Sequence, residues 1–142
     1  MDTTGRRLLA VLAADAAGFS RLMAEDEAAT VAMLDECRSL FRSQIEAAHG
    51  RVVDTAGDSV LAVFDTVTGA VQAAQAIQAL LAKRVETVPE SLRMRFRIGV
   101  NLGEVIEKED GTVYGDGVNI AARLEKLSDE LPLEFRLPTV AL

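Results

Sequence analysis

The sequence predicts an α+β fold in which an antiparallel β-sheet carries helices packed on one face. Strand-like and helix-like patterns follow one another in the order strand, helix, hairpin, helix, strand. The 142 residues fit a single domain over 1–142, and a hydrophobic content of 49% is enough for a substantial core. This order is that of a ferredoxin-like βαββαβ core, which is an α/β sandwich.

The first part of the chain contains a strand followed by two helices. Residues 7–14 are apolar and precede a glycine-containing turn, which predicts a buried strand. A short helix is predicted over 20–24, and Asp26 is expected to cap a longer one that ends at Gly50. Apolar residues recur along the longer helix at helical steps, at Val31, Leu34, Phe41, Ile45 and Ala48. Cys37 shares that spacing and is therefore expected in the core rather than as a nucleophile.

A β-hairpin and a second long helix form the middle of the chain. Two β-rich runs, 51–55 and 59–64, flank Ala56-Gly57-Asp58, which predicts a hairpin with Asp58 at its tip. A helix is then predicted over 67–85, with a buried stripe at Ala70, Ala74, Ile77 and Leu81.

The last elements are strands and one helix. Residues 93–101 alternate between apolar side chains on one face and Arg93, Arg95 and Arg97 on the other, which predicts a strand with one buried face. We interpret the row of arginines as solvated or covered by a helix rather than as a phosphate-binding site. Another strand is expected at 102–107, followed by a turn at 109–112. A final helix is predicted over 118–127, with its inward side chains at Val118, Ala122 and Leu124.

Composition and charge exclude several classes of function. The net charge of −7 and the pI near 4.7 argue against a nucleic-acid partner, which requires clustered cations. Asp15 interrupts the apolar run that starts at Leu8, so we expect neither a signal peptide nor a membrane segment. The expected location is therefore the cytoplasm. The single cysteine excludes an intrachain disulfide, and the single histidine, His49, makes a zinc site an unfavourable interpretation.

Two aspartates stand where apolar strand-like runs meet glycine. Asp15 ends the first predicted strand and is followed by Gly18, while Asp58 follows Gly57 in the hairpin. The βαββαβ order places the first strand between later ones, so we expect the two carboxylates to converge. Without histidine or cysteine ligands, such a pair suits a hard cation, and two ions, Mg²⁺ or Mn²⁺, serve phosphoryl or nucleotidyl transfer.

Two further groups of residues point to the same chemistry. Gly18, Phe19 and Ser20 are placed to offer backbone amides to a triphosphate at the start of a helix. Asn119 and Arg123 are four residues apart and so share one helix face, where they can position a ribose and neutralise charge on phosphate.

Four segments in this order resemble the catalytic domain of the class III adenylate and guanylate cyclases, in their bacterial branch. The resemblance covers roughly residues 6–128 and rests on LAADAAGFSRLM at 12–23, TAGDS at 55–59, FRIGVNLG at 96–103 and VYGDGVNIAARLE at 113–125. It implies a fold of the nucleotide cyclase type. It also implies an adenylate cyclase activity, in which the ribose 3′-hydroxyl attacks the α-phosphate to give 3′,5′-cyclic AMP and pyrophosphate.

The resemblance also assigns roles to individual residues. Asp15 and Asp58 are implied to hold two Mg²⁺ or Mn²⁺ ions, together with the backbone carbonyl of Ala16. Asn119 is implied to orient the ribose, and Arg123 to stabilise the transition state. Family members are head-to-tail dimers, so the resemblance implies a homodimer in which one chain supplies the carboxylates and the other supplies Asn119 and Arg123.

The sequence departs from the family pattern at the purine-binding positions. Asp54 stands where adenine-specific members have Lys, and a carboxylate cannot donate to the purine ring. Thr112 stands where many members have Asp and can still contact an adenine amino group. These two positions leave base selectivity open, and the resemblance as a whole implies ATP rather than GTP as the substrate.

A second departure follows the last predicted helix. After Ser128 the chain runs directly into residues 129–135, which resemble a later stretch of the family domain, and a late phosphate-binding Lys has no counterpart. This indicates a natural deletion or a sequence that omits segments. A catalytically degenerate nucleotide-binding or dimerisation module stays open as an alternative. A relative of diguanylate cyclases or polymerase palm domains is disfavoured because a Gly-Gly-Asp-Glu-Phe-like hairpin is absent from the sequence.

Overall fold

The computed structural model describes residues 5–127. Its strands are β1 Gly5–Ala16, β2 Arg51–Ala56, β3 Ser59–Phe64, β4 Phe96–Glu107 and β5 Val113–Tyr114. Its α-helices are α1 Phe19–Glu25, α2 Glu27–Ala47, α3 Val67–Val85 and α4 Asp116–Leu127, and a 3₁₀ turn lies at Glu90–Leu92. The departure predicted after Ser128 lies outside the described residues.

The five strands form one antiparallel sheet in the order β2-β3-β1-β4-β5. Helices α2 and α3 pack on one face, where Phe41 and Ile77 meet Leu12 of the central strand β1. This arrangement confirms the predicted ferredoxin-like core. Helix α4 follows that core in sequence and packs on the opposite face, where Ala121 joins a second cluster with Val11.

The long helices begin and end close to the predicted positions. The carboxylate of Asp26 accepts a hydrogen bond from the Ala29 amide at 3.0 Å and caps α2 as expected. Cys37 is buried in the core as predicted. Val31 is 43% exposed, contrary to the prediction, because the buried stripe of α2 passes through Thr30 instead. The Thr30 hydroxyl donates to the carbonyl of Leu22 at 2.9 Å, which satisfies a buried polar group.

The prediction of separate strands at 93–101 and 102–107 was wrong, since β4 is continuous over Phe96–Glu107. Strand β1 is equally long and pairs with β4 along its whole length, from Gly5 opposite Glu107 to Ala16 opposite Phe96. A long partner therefore keeps β4 extended through its two glycines, Gly99 and Gly103. The predicted apolar face is confirmed by the burial of Met94, Phe96, Ile98 and Val100.

Helix α4 lies directly on the backbone of β4 because Gly99 has no side chain. A Cβ atom at Gly99 would lie 2.4 Å from both the Ala121 carbonyl oxygen and the Glu125 nitrogen. Ala121 and Glu125 are therefore the buried centre of the helix. The residues predicted to point inward, Val118, Ala122 and Leu124, are only half-buried.

No helix in the described part of the chain is both long enough and apolar enough to cross a bilayer.

Candidate active site

The structure brings Asp15 and Asp58 to the same end of the sheet. Asp15 lies near the end of β1, and Asp58 lies in the tight turn between β2 and β3, where Gly57 has a φ of 56°. Because β1 pairs with β3 up to Ala14 opposite Val60, the hairpin turn lies beside the end of β1. One oxygen of Asp58, Oδ2, accepts a hydrogen bond from the amide of Ala16 at 3.0 Å.

The carboxylate of Asp15 forms a two-pronged ion pair with Arg97, which the sequence analysis did not place in the site. Arg97 Nε donates to Asp15 Oδ1 at 2.7 Å, and Nη2 donates to Oδ2 at 2.6 Å. The two residues face each other across β1 and β4, and their side chains are only 18% and 21% exposed. Such charge-assisted, bidentate bonds fix the carboxylate in position and orientation.

The predicted row of three arginines has two different environments. Arg93 and Arg95 pair with exposed Glu90 at 2.6 Å and 3.5 Å, respectively. Arg97 instead lies between Asp15 and Glu125 of α4, so its position is helix-covered. Only Arg97 belongs to β4, since Arg93 and Arg95 precede that strand. The alternating pattern predicted a solvated or helix-covered row, but it did not indicate which arginine would meet an aspartate.

Glu125 is the second residue that the sequence analysis missed. Only 6% of it is exposed, and its Oε1 lies 3.7 Å from Arg97 Nη2. Burial, and after it the adjacent Asp15 carboxylate, raise the pKa of Glu125 to about 8, although Arg97 acts in the opposite direction. No sequence signal indicated its burial, because the predicted inward face of α4 was at Val118, Ala122 and Leu124.

The donor set at this end of the sheet fits a hard divalent cation. The Asp15 and Asp58 carboxylates supply only oxygen, and within residues 5–127 there is no cluster of three or more His, Cys, Asp or Glu side chains able to hold a metal. Mg²⁺ commonly takes one or two carboxylates and completes its shell with water and substrate phosphates. An ionised carboxylate has about four lone-pair sites, so Asp15 can accept both Arg97 bonds and still bind a cation.

Gly18 directs the chain from the aspartate site into α1. Its φ of 66° is left-handed, which favours glycine, and Phe19 and Ser20 follow as the first residues of the helix. Leu22 fixes α1 through its buried side chain. The three backbone positions predicted to meet phosphate therefore begin only three residues after Asp15, and their role stays a prediction.

Asn119 and Arg123 lie on the exposed face of α4. Their positions, two residues before and after buried Ala121, place them on the side of the helix opposite to Ala121. Glu125, on the buried side of α4, lies 3.7 Å from Arg97. The described part of one chain therefore does not bring Asn119 and Arg123 to the two aspartates.

The two predicted purine-binding residues lie on separate elements that Arg51 connects. Asp54 is an exposed residue of β2, next to an irregularity in its pairing with β3. Thr112 precedes β5, and its amide and hydroxyl donate to Asp110 at 2.9 Å and 2.6 Å. Arg51 donates to the Gly111 carbonyl at 3.1 Å and to Glu107 at 2.7 Å, which ties the start of β2 to this turn.

Comparison with known proteins identifies relatives that match most of this chain. The family model described as the adenylate and guanylate cyclase catalytic domain matches residues 4–136. The putative adenylate cyclase 3 of Rhizobium meliloti (strain 1021) is 42% identical over 129 residues, which cover 90% of this chain and 22% of that protein. The chain thus spans less than a quarter of the length of this curated relative.

Solved structures show the same fold. The adenylate/guanylate cyclase/hydrolase from Silicibacter pomeroyi is 43% identical, with a TM-score of 0.73 over 87% of this chain and 72% of the other. A bacterial light-regulated adenylyl cyclase is 27% identical, with a TM-score of 0.84 over 91% of this chain and 42% of the other.

Proposed function

The chain belongs to the family of adenylate and guanylate cyclase catalytic domains, and from this premise we propose that it converts ATP to 3′,5′-cyclic AMP and pyrophosphate at a dimer interface. The observation that carries the proposal is the convergence of Asp15 and Asp58 at one end of the sheet, where the Ala16 amide donates to Asp58 at 3.0 Å. In this role the protein acts in cyclic-nucleotide signalling. The cytoplasmic location expected from the sequence stays a prediction.

The metal half of the site is formed by residues of one chain. Asp15, Asp58 and the carbonyl of Ala16 hold two Mg²⁺ or Mn²⁺ ions in this proposal. Two such ions, when bound, activate the attacking ribose oxygen and stabilise the leaving pyrophosphate. The amides of Gly18, Phe19 and Ser20 bind the phosphates beside them.

The other half of the site comes from a second chain in a head-to-tail homodimer. Asn119 orients the ribose, and Arg123 donates to the phosphate oxygens on which charge develops. The exposure of both residues supports this division, since the opposite face of the same helix is buried against β4. An arginine in such a role accelerates phosphoryl-transfer enzymes by about 10³–10⁵-fold.

The proposed base preference is for ATP over GTP. The curated relative at 42% identity is named as an adenylate cyclase, and the Thr112 hydroxyl can accept a hydrogen bond from an adenine amino group. The exposed carboxylate of Asp54 favours the second candidate, a catalytically degenerate nucleotide-binding or dimerisation module. Adenine-specific family members have a lysine at this position, which donates a hydrogen bond to the purine ring, and a carboxylate cannot do so.

A direct assay tests the proposed function. The full chain is incubated with Mn²⁺ and either ATP or GTP at concentrations where it dimerises, and cyclic nucleotides are separated by chromatography. We expect cyclic AMP from the unmodified chain and from Asp65→Ala, whose carboxylate is at the exposed surface and pairs with Arg7. Asp58→Ala should be inactive. If the unmodified chain forms no more product than Asp58→Ala, the cyclase proposal is wrong and the degenerate module is favoured.

A further inference from the structure

We propose that Asp110 is a positioning residue that sets a preference for adenine over guanine, because it holds the hydroxyl of Thr112 as a hydrogen-bond acceptor toward the base. The inference rests on the proposed function, in which Thr112 faces the purine. Asp110 itself is not assigned any contact with the nucleotide.

The first step of the argument is the direction of the hydrogen bond between the two side chains. Thr112 Oγ1 lies 2.6 Å from Asp110 Oδ1, and the Thr112 amide donates to the same oxygen at 2.9 Å. The hydroxyl and the amide of Thr112 hold the pKa of Asp110 below its usual value, so the carboxyl group is ionised at neutral pH. An ionised carboxylate can only accept. The single hydroxyl proton of Thr112 is therefore committed to Asp110.

The second step is the fixed backbone of the turn that carries both residues. The Lys108 amide donates to the Thr112 carbonyl at 2.8 Å, and the Gly111 amide donates to the Lys108 carbonyl at 2.9 Å. Arg51, on the strand at the other edge of the sheet, donates to the Gly111 carbonyl at 3.1 Å. Because the turn is held at these points, we expect the Thr112 oxygen and its lone pairs to keep one direction.

The third step is the difference between the two purines. A hydroxyl has one proton and two lone pairs, so Thr112 retains only acceptor capacity toward a ligand. Adenine carries an exocyclic amino group, N6, which donates, whereas guanine carries a carbonyl oxygen, O6, which accepts. Thr112 can therefore pair with adenine, while guanine would place two acceptors against each other. A Thr112 hydroxyl released from Asp110 could rotate and donate to guanine.

The ratio of kcat/KM for ATP to kcat/KM for GTP tests this role in the full chain with Mn²⁺. Asp110→Ala releases the Thr112 hydroxyl, and we expect the ratio to fall about tenfold, the effect of one hydrogen bond. Asp110→Asn keeps a carbonyl oxygen that can accept from Thr112, so its ratio should stay within threefold of the unmodified value. Glu109→Ala removes the same charge from the neighbouring exposed position and should leave the ratio unchanged. An unchanged ratio in Asp110→Ala, or an equal fall in Asp110→Asn or Glu109→Ala, would overturn the proposal.

A double substitution tests whether Asp110 acts through Thr112. Thr112→Val removes the hydroxyl, and in this background we expect Asp110→Ala to change the ratio by less than about twofold. A tenfold change in that background would show that Asp110 acts on the base by another route, which contradicts the inference. A role in folding alone would lower both kcat/KM values by the same factor and leave their ratio unchanged.

Equilibrium binding separates failure of the inference from failure of the proposed function. Dissociation constants are measured with Mn²⁺ for 3′-deoxy-ATP and 3′-deoxy-GTP, which lack the attacking hydroxyl and cannot be cyclised. A chain that makes no cyclic nucleotide, but whose Asp110→Ala variant shifts the ratio of these constants about tenfold toward guanine, loses the function and retains the inference. A chain that forms cyclic AMP with a base preference independent of Asp110 retains the function and loses the inference. A chain that binds neither analogue loses both.

Discussion

The substitution Gly99→Ala should separate folding from catalysis, because Gly99 contacts α4 and not the proposed nucleotide site. The added Cβ would lie 2.4 Å from the carbonyl oxygen of Ala121 and from the nitrogen of Glu125, whereas ordinary contact begins at 3.4 Å. Both atoms belong to the helix backbone and cannot rotate away. Helix α4 must therefore move by about 1 Å, the difference between those two distances.

A displacement of that size is small for the fold and large for catalysis. Overpacking of this kind costs about 1–3 kcal/mol of unfolding free energy. A misplacement of about 1 Å in a catalytic group can lower a rate by about 10²-fold. We therefore expect Gly99→Ala to remain folded and dimeric, with kcat reduced by about 10²-fold because Asn119 and Arg123 are displaced with the helix.

The assay compares kcat, melting temperature and oligomeric state with those of Gly5→Ala, at a position where an added Cβ meets nothing within 4 Å. Gly5→Ala should match the unmodified chain in all three. A folded Gly99→Ala protein whose kcat stays within threefold of the unmodified value would refute the claim that the placement of α4 controls turnover.

Three further predictions follow from individual side chains. Arg123→Ala should lower kcat by about 10³–10⁵-fold with little change in melting temperature, since its side chain is exposed; a loss below tenfold in a steady-state assay would remove it from the catalytic role. Asp54→Lys should raise the ratio of kcat/KM for ATP over GTP, and an unchanged ratio in an active protein would show that Asp54 does not face the purine. Burial raises the pKa of the Cys37 thiol to about 11, so iodoacetamide at pH 8 should label it only after unfolding. Because an unfolded thiol has a pKa of about 8.5, this residue's contribution to stability should be lost as pH rises from about 8.5 to about 11, and rapid labelling of the native chain would contradict its burial.

Local patterns predicted most of the fold. The bounds of α3 and β3 and the cap at Asp26 were predictable because helical periodicity, alternation and capping are properties of neighbouring residues. The continuity of β4 was not predictable in the same way, because it depends on a partner strand of equal length about ninety residues earlier in the chain.

The same distinction applies to the candidate site. Asp15 and Asp58 were predicted together because topology alone places the end of β1 beside the hairpin. Arg97 and Glu125 were missed because their partners depend on strand register and on the rotation of α4. Arg97 is 82 residues from Asp15 in sequence, and close contacts at Gly99 and Gly103 set which face of the helix meets the sheet.

The central claim is that one chain holds only half of a cyclase site, and complementation tests it most directly. Asp58→Ala and Arg123→Ala chains are each assayed alone and after mixing in equal amounts under conditions that allow subunit exchange. Each alone should be inactive. The mixture should recover about a quarter of the unmodified activity, because half of the dimers are mixed and each has one complete site of two. A mixture no more active than its separate components, although exchange is demonstrated, would contradict the account.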